Sequence, residues 1–334
     1  MQNWKTYFLP VAAAVGVLFV VAFLYWYSVS PGLSVYAQRV VVTSDLKPAA
    51  APLANEKEAA SGDNQPKPLL VVAPVSVSGL KTAAAENSRL RYNLRWTFGG
   101  KSQFGWFIYV PLIQQTTGAA QGAETPEFAG AVAVWQQQFG LSTTGKMDAE
   151  TLYKMVEWWQ SRRLNDSTYP SPNQLLTAPI ADFYDPTRSI GLLKVERETY
   201  AAYKRMVAAA AKDPTLNLKT TKTGELASDE KFLKIVSAFR SREYQALLRK
   251  QSPNSGRAGL ATNSPHFTGH ALDIYVGGEP VITKDINRAL QAQTPVYKWL
   301  VKNAEKFGFY PYYYEPWHWE YVPNRLKTYT QPAN

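Results

Sequence analysis

The sequence predicts an α+β chain: a mixed C-terminal domain with a small antiparallel sheet and flanking helices, a small mainly helical domain before it, and one N-terminal membrane helix. Three observations carry this prediction. From about residue 165, helical and strand signals mix without the regular alternation that a parallel α/β sheet requires. Residues 126–159 hold two capped, amphipathic helical patterns. Residues 7–27 carry no charge at all. With 334 residues, 46% hydrophobic and 19% charged, the chain exceeds one ordinary domain and is neither collagen-like, coiled-coil nor wholly disordered.

In chain order, Tyr7 to Tyr27 is long enough, at about 1.5 Å per residue, to span a hydrocarbon core of about 30 Å. Trp4, Tyr7, Tyr25, Trp26 and Tyr27 suit its two interfaces, and Lys5 with the terminal amine favours a cytoplasmic N-terminus, against Arg39 and Lys47 on the far side. A cleaved signal sequence ending at Val35-Tyr36-Ala37 is the alternative for 1–37, although the apolar run is longer than such segments usually are. Both readings export the chain beyond residue 38, giving a single-pass membrane protein with its folded part outside the cytoplasm when the helix is retained. Residues from about 44 to 68, rich in Ala, Pro and charge without an apolar period, are expected to be a tether, within a flexible linker placed at 38–86.

The helical domain is placed at 87–164. Phe128, Val132, Trp135 and Phe139 recur at helical spacing, with Gly140 where a left-handed cap is wanted. Asp148 stands where it can cap a second helix with the stripe Leu152, Met155, Val156 and Trp159. The preceding segment, 89–113, reads as strand-like. In the mixed domain, 165–334, a helix is expected within 194–212 with Tyr200, Tyr203 and Val207 on one side. Strands are expected at 232–239 and 272–276 and at the closing WHWEYV, with a helix at 242–251. Thr294 at an N-cap, Pro295 at the first helical position and Gly308 as a stop frame another helix.

The chain has no cysteine, which removes disulfides, thiolate metal sites and cysteine nucleophiles together, and only three histidines, His266, His270 and His318. A histidine-based site can therefore lie only in the last quarter of the chain. The formal charge of +10 attracts polyanions; export leaves anionic lipid or cell wall and removes nucleic acid as a partner. His266 lies on a loop before the strand carrying Asp273, a carboxylate costly to bury unless satisfied by a cation or by donors. A second segment, Glu315-Pro316-Trp317-His318, supplies another histidine with a glutamate three residues earlier. Two histidines, an aspartate and a free carboxylate are the parts of a hydrolytic zinc site, with three protein ligands, an open position and a general base.

These residues carry a resemblance. S-x-H-x-x-G-x-A-x-D from Ser264 to Asp273, followed by E-P-W-H from Glu315 to His318, resembles the VanY-like zinc D-alanyl-D-alanine carboxypeptidases, within the group that includes lysostaphin-type enzymes. Ser237, Arg240, Ser241 and Gln245 are similar to that family's S-x-x-R-S-x-x-x-Q segment. The resemblance implies that His266, Asp273 and His318 ligate Zn2+, that Glu315 is the catalytic base, and that Arg240, Ser237, Gln245 and Ser264 contact substrate. The substrate so implied is a peptidoglycan stem peptide, from which the terminal D-alanine is removed. A crossbridge endopeptidase with the same chemistry and a non-catalytic wall-binding protein are the alternatives. Trp135-Gln136, Phe139-Gly140-Leu141, Thr144-Gly145 and Asp148 to Thr151 resemble the small helical peptidoglycan-binding module found beside many wall hydrolases. His270 mimics the i,i+4 pair of zinc helices, but Gly269 spoils that helix, so His270 is expected to line the site or face solvent. Glu320 is expected to hydrogen-bond His318 from behind.

Overall fold

The computed structural model describes residues 76–98, 100–251 and 264–323. The expected membrane helix over 7–27 lies outside the described residues, as does the linker up to residue 75. Among the described residues no helix is long and apolar enough to cross a membrane. The last part of the linker expected over 38–86 is instead helical. Helix α1, Val77–Asn93, begins inside it, capped by the Ser76 side chain accepting from the Gly79 amide. This helix buries only Ala83, Ala84 and Asn87, so no apolar stripe announces it; its alanines favour helix by propensity alone.

A hairpin comes next, β1 (Arg95–Phe98) against β2 (Lys101–Phe104), then α2 (Val110–Thr117). The strand-like reading of 89–113 therefore holds only for the hairpin. Its first residues finish α1, and its last, with Pro111 in the first turn, enter α2. Helix α3 (Pro126–Gln138) is capped by Thr125 and α4 (Ala149–Ser161) by Asp148, whose side chain accepts from Thr151 N. The turn between them is organised by Gln136, which is buried. Its carbonyl accepts from the amides of Thr144 and Gly145, and its amide donates to Thr144 Oγ1, Lys146 O and Thr151 Oγ1. Asn87 clamps the same turn from α1, donating to Gly145 O and accepting from Met147 N. Gly145 has φ +69°, and a Cβ there would come within 2.7 Å of Ala129 O, so the position requires glycine.

The mixed half opens with β3 (Leu175–Thr177) paired antiparallel to β4 (Lys194–Glu196). Helix α5 (Arg197–Ala210) buries Ala202, Tyr203, Met206, Val207 and Ala210. The principal sheet has four antiparallel strands, β5 (Ile235–Ser237), β6 (Ala271–Ile274), β7 (Phe309–Pro311) and β8 (His318–Tyr321), in the order β5-β6-β8-β7. Helix α6 (Arg242–Gln251) succeeds β5, and α7 (Asp285–Gln293) and α8 (Pro295–Asn303) lie between β6 and β7. Thr294 caps α8 as expected, accepting from Tyr297 N at 3.1 Å, and Gly308 takes a left-handed φ of +86° beyond the 3-10 turn that ends it.

The α+β class is therefore observed, with small antiparallel sheets and flanking helices. One buried apolar cluster runs from Trp106, Phe128 and Met155 through Trp159 and Tyr109 to Tyr313, Leu300 and Trp319. Trp159 lies 5.8 Å and Tyr109 5.5 Å from the Tyr313 ring. Aromatic side chains of the helical half thus pack directly behind the segment that leads into β8.

Candidate metal centre and active site

The register of the sheet assembles the site. Ser237 stands opposite Asp273, and Asp273 opposite His318, across three adjacent strands. Side chains alternate along a strand, so Asp273 and His318 share one face while Leu272 and Trp319, the neighbouring cross-strand pair, share the other. Burying Leu272 and Trp319, both at most 1% exposed, holds this register, because a slip of one residue would drive the polar pair into the core.

His266 reaches the pair from a single 3-10 turn, Pro265–Thr268, whose N-cap Ser264 accepts from the His266 amide. Gly269 ends that turn with φ +74°, and a Cβ there would come within 2.9 Å of Glu196 Cβ. Only glycine reverses the chain here without strain, which explains the glycine of the motif. His266 Nδ1 lies 2.6 Å from Ala238 O. A ring nitrogen facing a carbonyl carries the proton, so Nε2 keeps its lone pair and faces Asp273 Oδ1 at 3.3 Å. The Arg240 amide donates to His266 O at 3.1 Å, which ties the turn to the end of β5.

One ligand atom from each of His266, Asp273 and His318 can be chosen so that all three lie within 4.8 Å of one another, and all three residues are buried. His318 Nδ1 is 3.0 Å from Asp273 Oδ1, and its Nε2 is 3.1 Å from Glu320 Oε1. Asp273 presents Oδ1 to both imidazoles, while Oδ2 is bound by the Arg240 guanidinium. Arg240 also donates to Ser237 Oγ at 2.9 Å and to Gln245 Oε1. Burial pushes the His266 imidazole down to about 4, with Arg240 adding to the effect. For Asp273 burial opposes ionisation, but His266 and Arg240 outweigh it and hold the carboxyl well below its usual range. His266 and Asp273 are thereby held in the forms that ligate metals, whereas the His318 imidazole is pushed up to about 9, burial being outweighed by its hydrogen bonds to Asp273 and Glu320, so a metal there would displace a proton.

Glu315 occupies the turn between β7 and β8, its amide donating to Tyr312 O and its carbonyl accepting from His318 N. It is 6% exposed, and its Oε1 has no hydrogen-bond partner among the described residues. Burial pushes its carboxyl up to about 8, against the attraction of His318. A carboxyl with an unused oxygen, close enough to the His318 imidazole and Asp273 to feel their charges, is equipped to take and return a proton. A cavity of about 890 Å³ is lined by Leu164–Ser167, Arg242, Gln245, Arg249, Ser264 and Phe267. It reaches the site through Gln245 and Ser264.

Residues 192–324 match the model of the VanY family, D-alanyl-D-alanine carboxypeptidase. This part of the chain is a VanY domain. Residues 103–155, before the VanY domain, match the model of a putative peptidoglycan-binding domain. No curated protein matches the chain. The VanY match contains every residue that the sequence singled out for chemistry, and VanY domains typically depend on a metal, which the His/Asp/His group can hold.

The structure places Ser237, Arg240, Gln245, Ser264, His266, Asp273, Glu315 and His318 in one buried neighbourhood. Arg240 departs from expectation in one respect. It is not left facing open space for a substrate but is engaged by Asp273, Ser237 and Gln245. His270 stands apart from the VanY cluster; its Nδ1 is 2.8 Å from Thr199 Oγ1 and its ring packs on Tyr321. Glu320 hydrogen-bonds His318 as strand alternation predicted, yet the sequence offered no sign of what holds Glu320. Arg163 and the Leu164 amide do so, from 157 and 156 residues away.

Proposed function

We propose that this chain is a zinc-dependent D-alanyl-D-alanine carboxypeptidase that trims peptidoglycan stem peptides outside the cytoplasm, held to the membrane by residues 7–27. The observation that carries the reading is the buried His266, Asp273 and His318 cluster with Glu315 beside it. Two imidazole nitrogens and one carboxylate oxygen suit a catalytic zinc, which takes three protein ligands and keeps an open position. A zinc ion held there supplies Lewis acidity toward a peptide carbonyl and lowers the pKa of water toward neutrality. The uncharged run of 7–27 supports the anchor, and the wall-binding domain supports the wall as the place of action.

The residues themselves then divide the work. Asp273 is held to one orientation by Arg240, so that Oδ1 alone faces the imidazoles. Glu315 takes a proton from the water whose oxygen attacks the scissile carbonyl carbon. When the C–N bond breaks, Glu315 returns that proton to the departing amine. Products are the shortened stem with a new carboxylate and free D-alanine. A terminal carboxylate of the substrate would compete with Asp273 for the Arg240 guanidinium, a charge-assisted contact that a blocked peptide cannot make.

The test is mass spectrometry of defined stem pentapeptides incubated with the purified full-length chain, with and without chelator. Loss of one terminal alanine, abolished by chelation and restored by zinc, is the expected result. An unchanged pentapeptide, or cleavage indifferent to chelator, would refute the reading.

A further inference from the structure

Glu320 is wholly buried, and the hydrogen bonds to it come from both halves of the molecule. His318 Nε2 meets Oε1 from the same strand. Arg163 Nε donates to Oε1 at 3.1 Å, Arg163 Nη2 contacts the same oxygen, and the Leu164 amide donates to Oε2 at 2.9 Å. Arg163 and Leu164 lie just beyond α4 and outside both family matches, which end at residue 155 and begin at residue 192. A buried carboxylate left without such donors is costly, so Glu320 depends on this segment for its place.

The segment is itself pinned. The Arg163 guanidinium lies 4.0 Å over the Tyr312 ring and donates to Gln160 Oε1. Arg162, next to it, lies 4.4 Å over Trp158 and 4.8 Å over Tyr310 and pairs with Glu305. Two consecutive arginines thus fasten the end of α4 to β7 and the helical turn before it, but only Arg163 touches Glu320. The carboxylate behind a ligating imidazole fixes its tautomer and orientation. Here Glu320 faces Nε2, which directs Nδ1 toward Asp273.

We propose that Arg163 is a positioning residue for the metal centre: it holds Glu320 against His318, so that metal affinity in the VanY domain depends on a side chain delivered from the wall-binding side of the chain. This rests on the proposed binding of a metal by His266, Asp273 and His318. It makes the helical domain part of the catalytic apparatus and not only a tether to the wall.

The experiment measures zinc affinity of the full-length chain by chelator competition, and the visible absorption of the cobalt-substituted protein, for wild type, Arg163→Ala, Arg163→Lys and Arg162→Ala. Loss of an outer hydrogen-bond partner typically costs about 10- to 100-fold in metal affinity. For Arg163→Ala at least about 10-fold is expected, with a changed cobalt spectrum. Arg163→Lys should fall between it and wild type, because lysine keeps the charge and loses the planar fork. Arg162→Ala loosens the same contact without touching Glu320 and should bind zinc as wild type does. The inference is overturned if Arg163→Ala matches wild type, or if Arg162→Ala loses as much affinity. Should Arg163→Ala fail to fold, wild-type affinity in Arg163→Lys with an unchanged spectrum overturns it equally. A wild-type chain that binds no zinc defeats the metal-centre reading itself, an outcome distinct from zinc bound with equal affinity by all four.

Discussion

Replacing Glu315 by Gln isolates what burial does to the carboxyl beside the proposed metal site. The side chain is 6% exposed with one oxygen unpartnered among the described residues, and burial raises its pKa from 4.5 to about 8. Between those two values the folded protein keeps a proton that the unfolded chain has released, so metal-free stability falls as pH rises. The slope is about 1.4 kcal/mol per pH unit for one group. From about pH 5.5 to 7.5 the wild-type chain should therefore lose about 3 kcal/mol through this residue, and the loss should be complete above the folded value near 8. Glu315→Gln cannot release that proton. Urea denaturation in excess chelator, run on both proteins at several pH values, gives the stability difference directly. The variant should gain on wild type as pH rises over this window. Zinc should shrink the gain, since a nearby cation favours the ionised carboxylate. A difference that is flat with pH, or that grows in favour of wild type, would show that Glu315 is already ionised in the metal-free fold and that its burial is not what poises it. The same variant should retain zinc and lose turnover by at least about 100-fold, the contribution of a general base.

His266→Ala, Asp273→Ala and His318→Ala should each lose stoichiometric zinc by elemental analysis while keeping their far-ultraviolet circular dichroism, because the buried apolar cluster among the described residues does not depend on one ion. His270→Ala should keep both zinc and most of its activity; loss of zinc would mean that His266 and His270 form the chelating pair after all. Arg240→Ala should slow cleavage of free-ended stem peptides far more than of end-blocked analogues, and it should also weaken zinc binding, because the guanidinium holds Asp273 Oδ2; equal slowing of both peptides would favour an endopeptidase. Gly269→Ala forces a side chain into a left-handed position and against Glu196, and a cost of roughly 1–3 kcal/mol is expected by thermal or urea denaturation; an unchanged midpoint would show that the turn can relax.

Much of the candidate site was legible because its signals are local. Ser264, His266, Gly269 and Asp273 sit within ten residues, where a cap, a 3-10 turn, a left-handed glycine and a strand succeed one another in sequence. Glu315 and His318 are joined by the turn that leads into β8. Helices α3, α4 and α8 were legible for the same reason, through Asp148 and Thr294 as caps and through their apolar stripes. Helix α1 was missed because it buries little and carries no stripe; the contact that justifies it, Asn87 with Gly145, spans 58 residues. The strand-like reading of the segment before α2 failed at its ends, where apolar residues serve helices and strands alike.

Sequence alone determined the residue types of the site, the two motifs that carry them, the absence of any thiolate alternative, and the α+β class. These depend on composition and on neighbours within a few residues, which covalent continuity already places together. Tertiary structure alone decided the partners: Ser237, Asp273 and His318 in one row across three strands, Arg240 on the second oxygen of Asp273, and Arg163 behind Glu320. Periodicity can say which face a residue takes, but not which residue stands opposite. That is settled when packed side chains such as Leu272 and Trp319 select one strand register over its neighbours, and when a buried carboxylate must find its donors wherever the folded chain brings them.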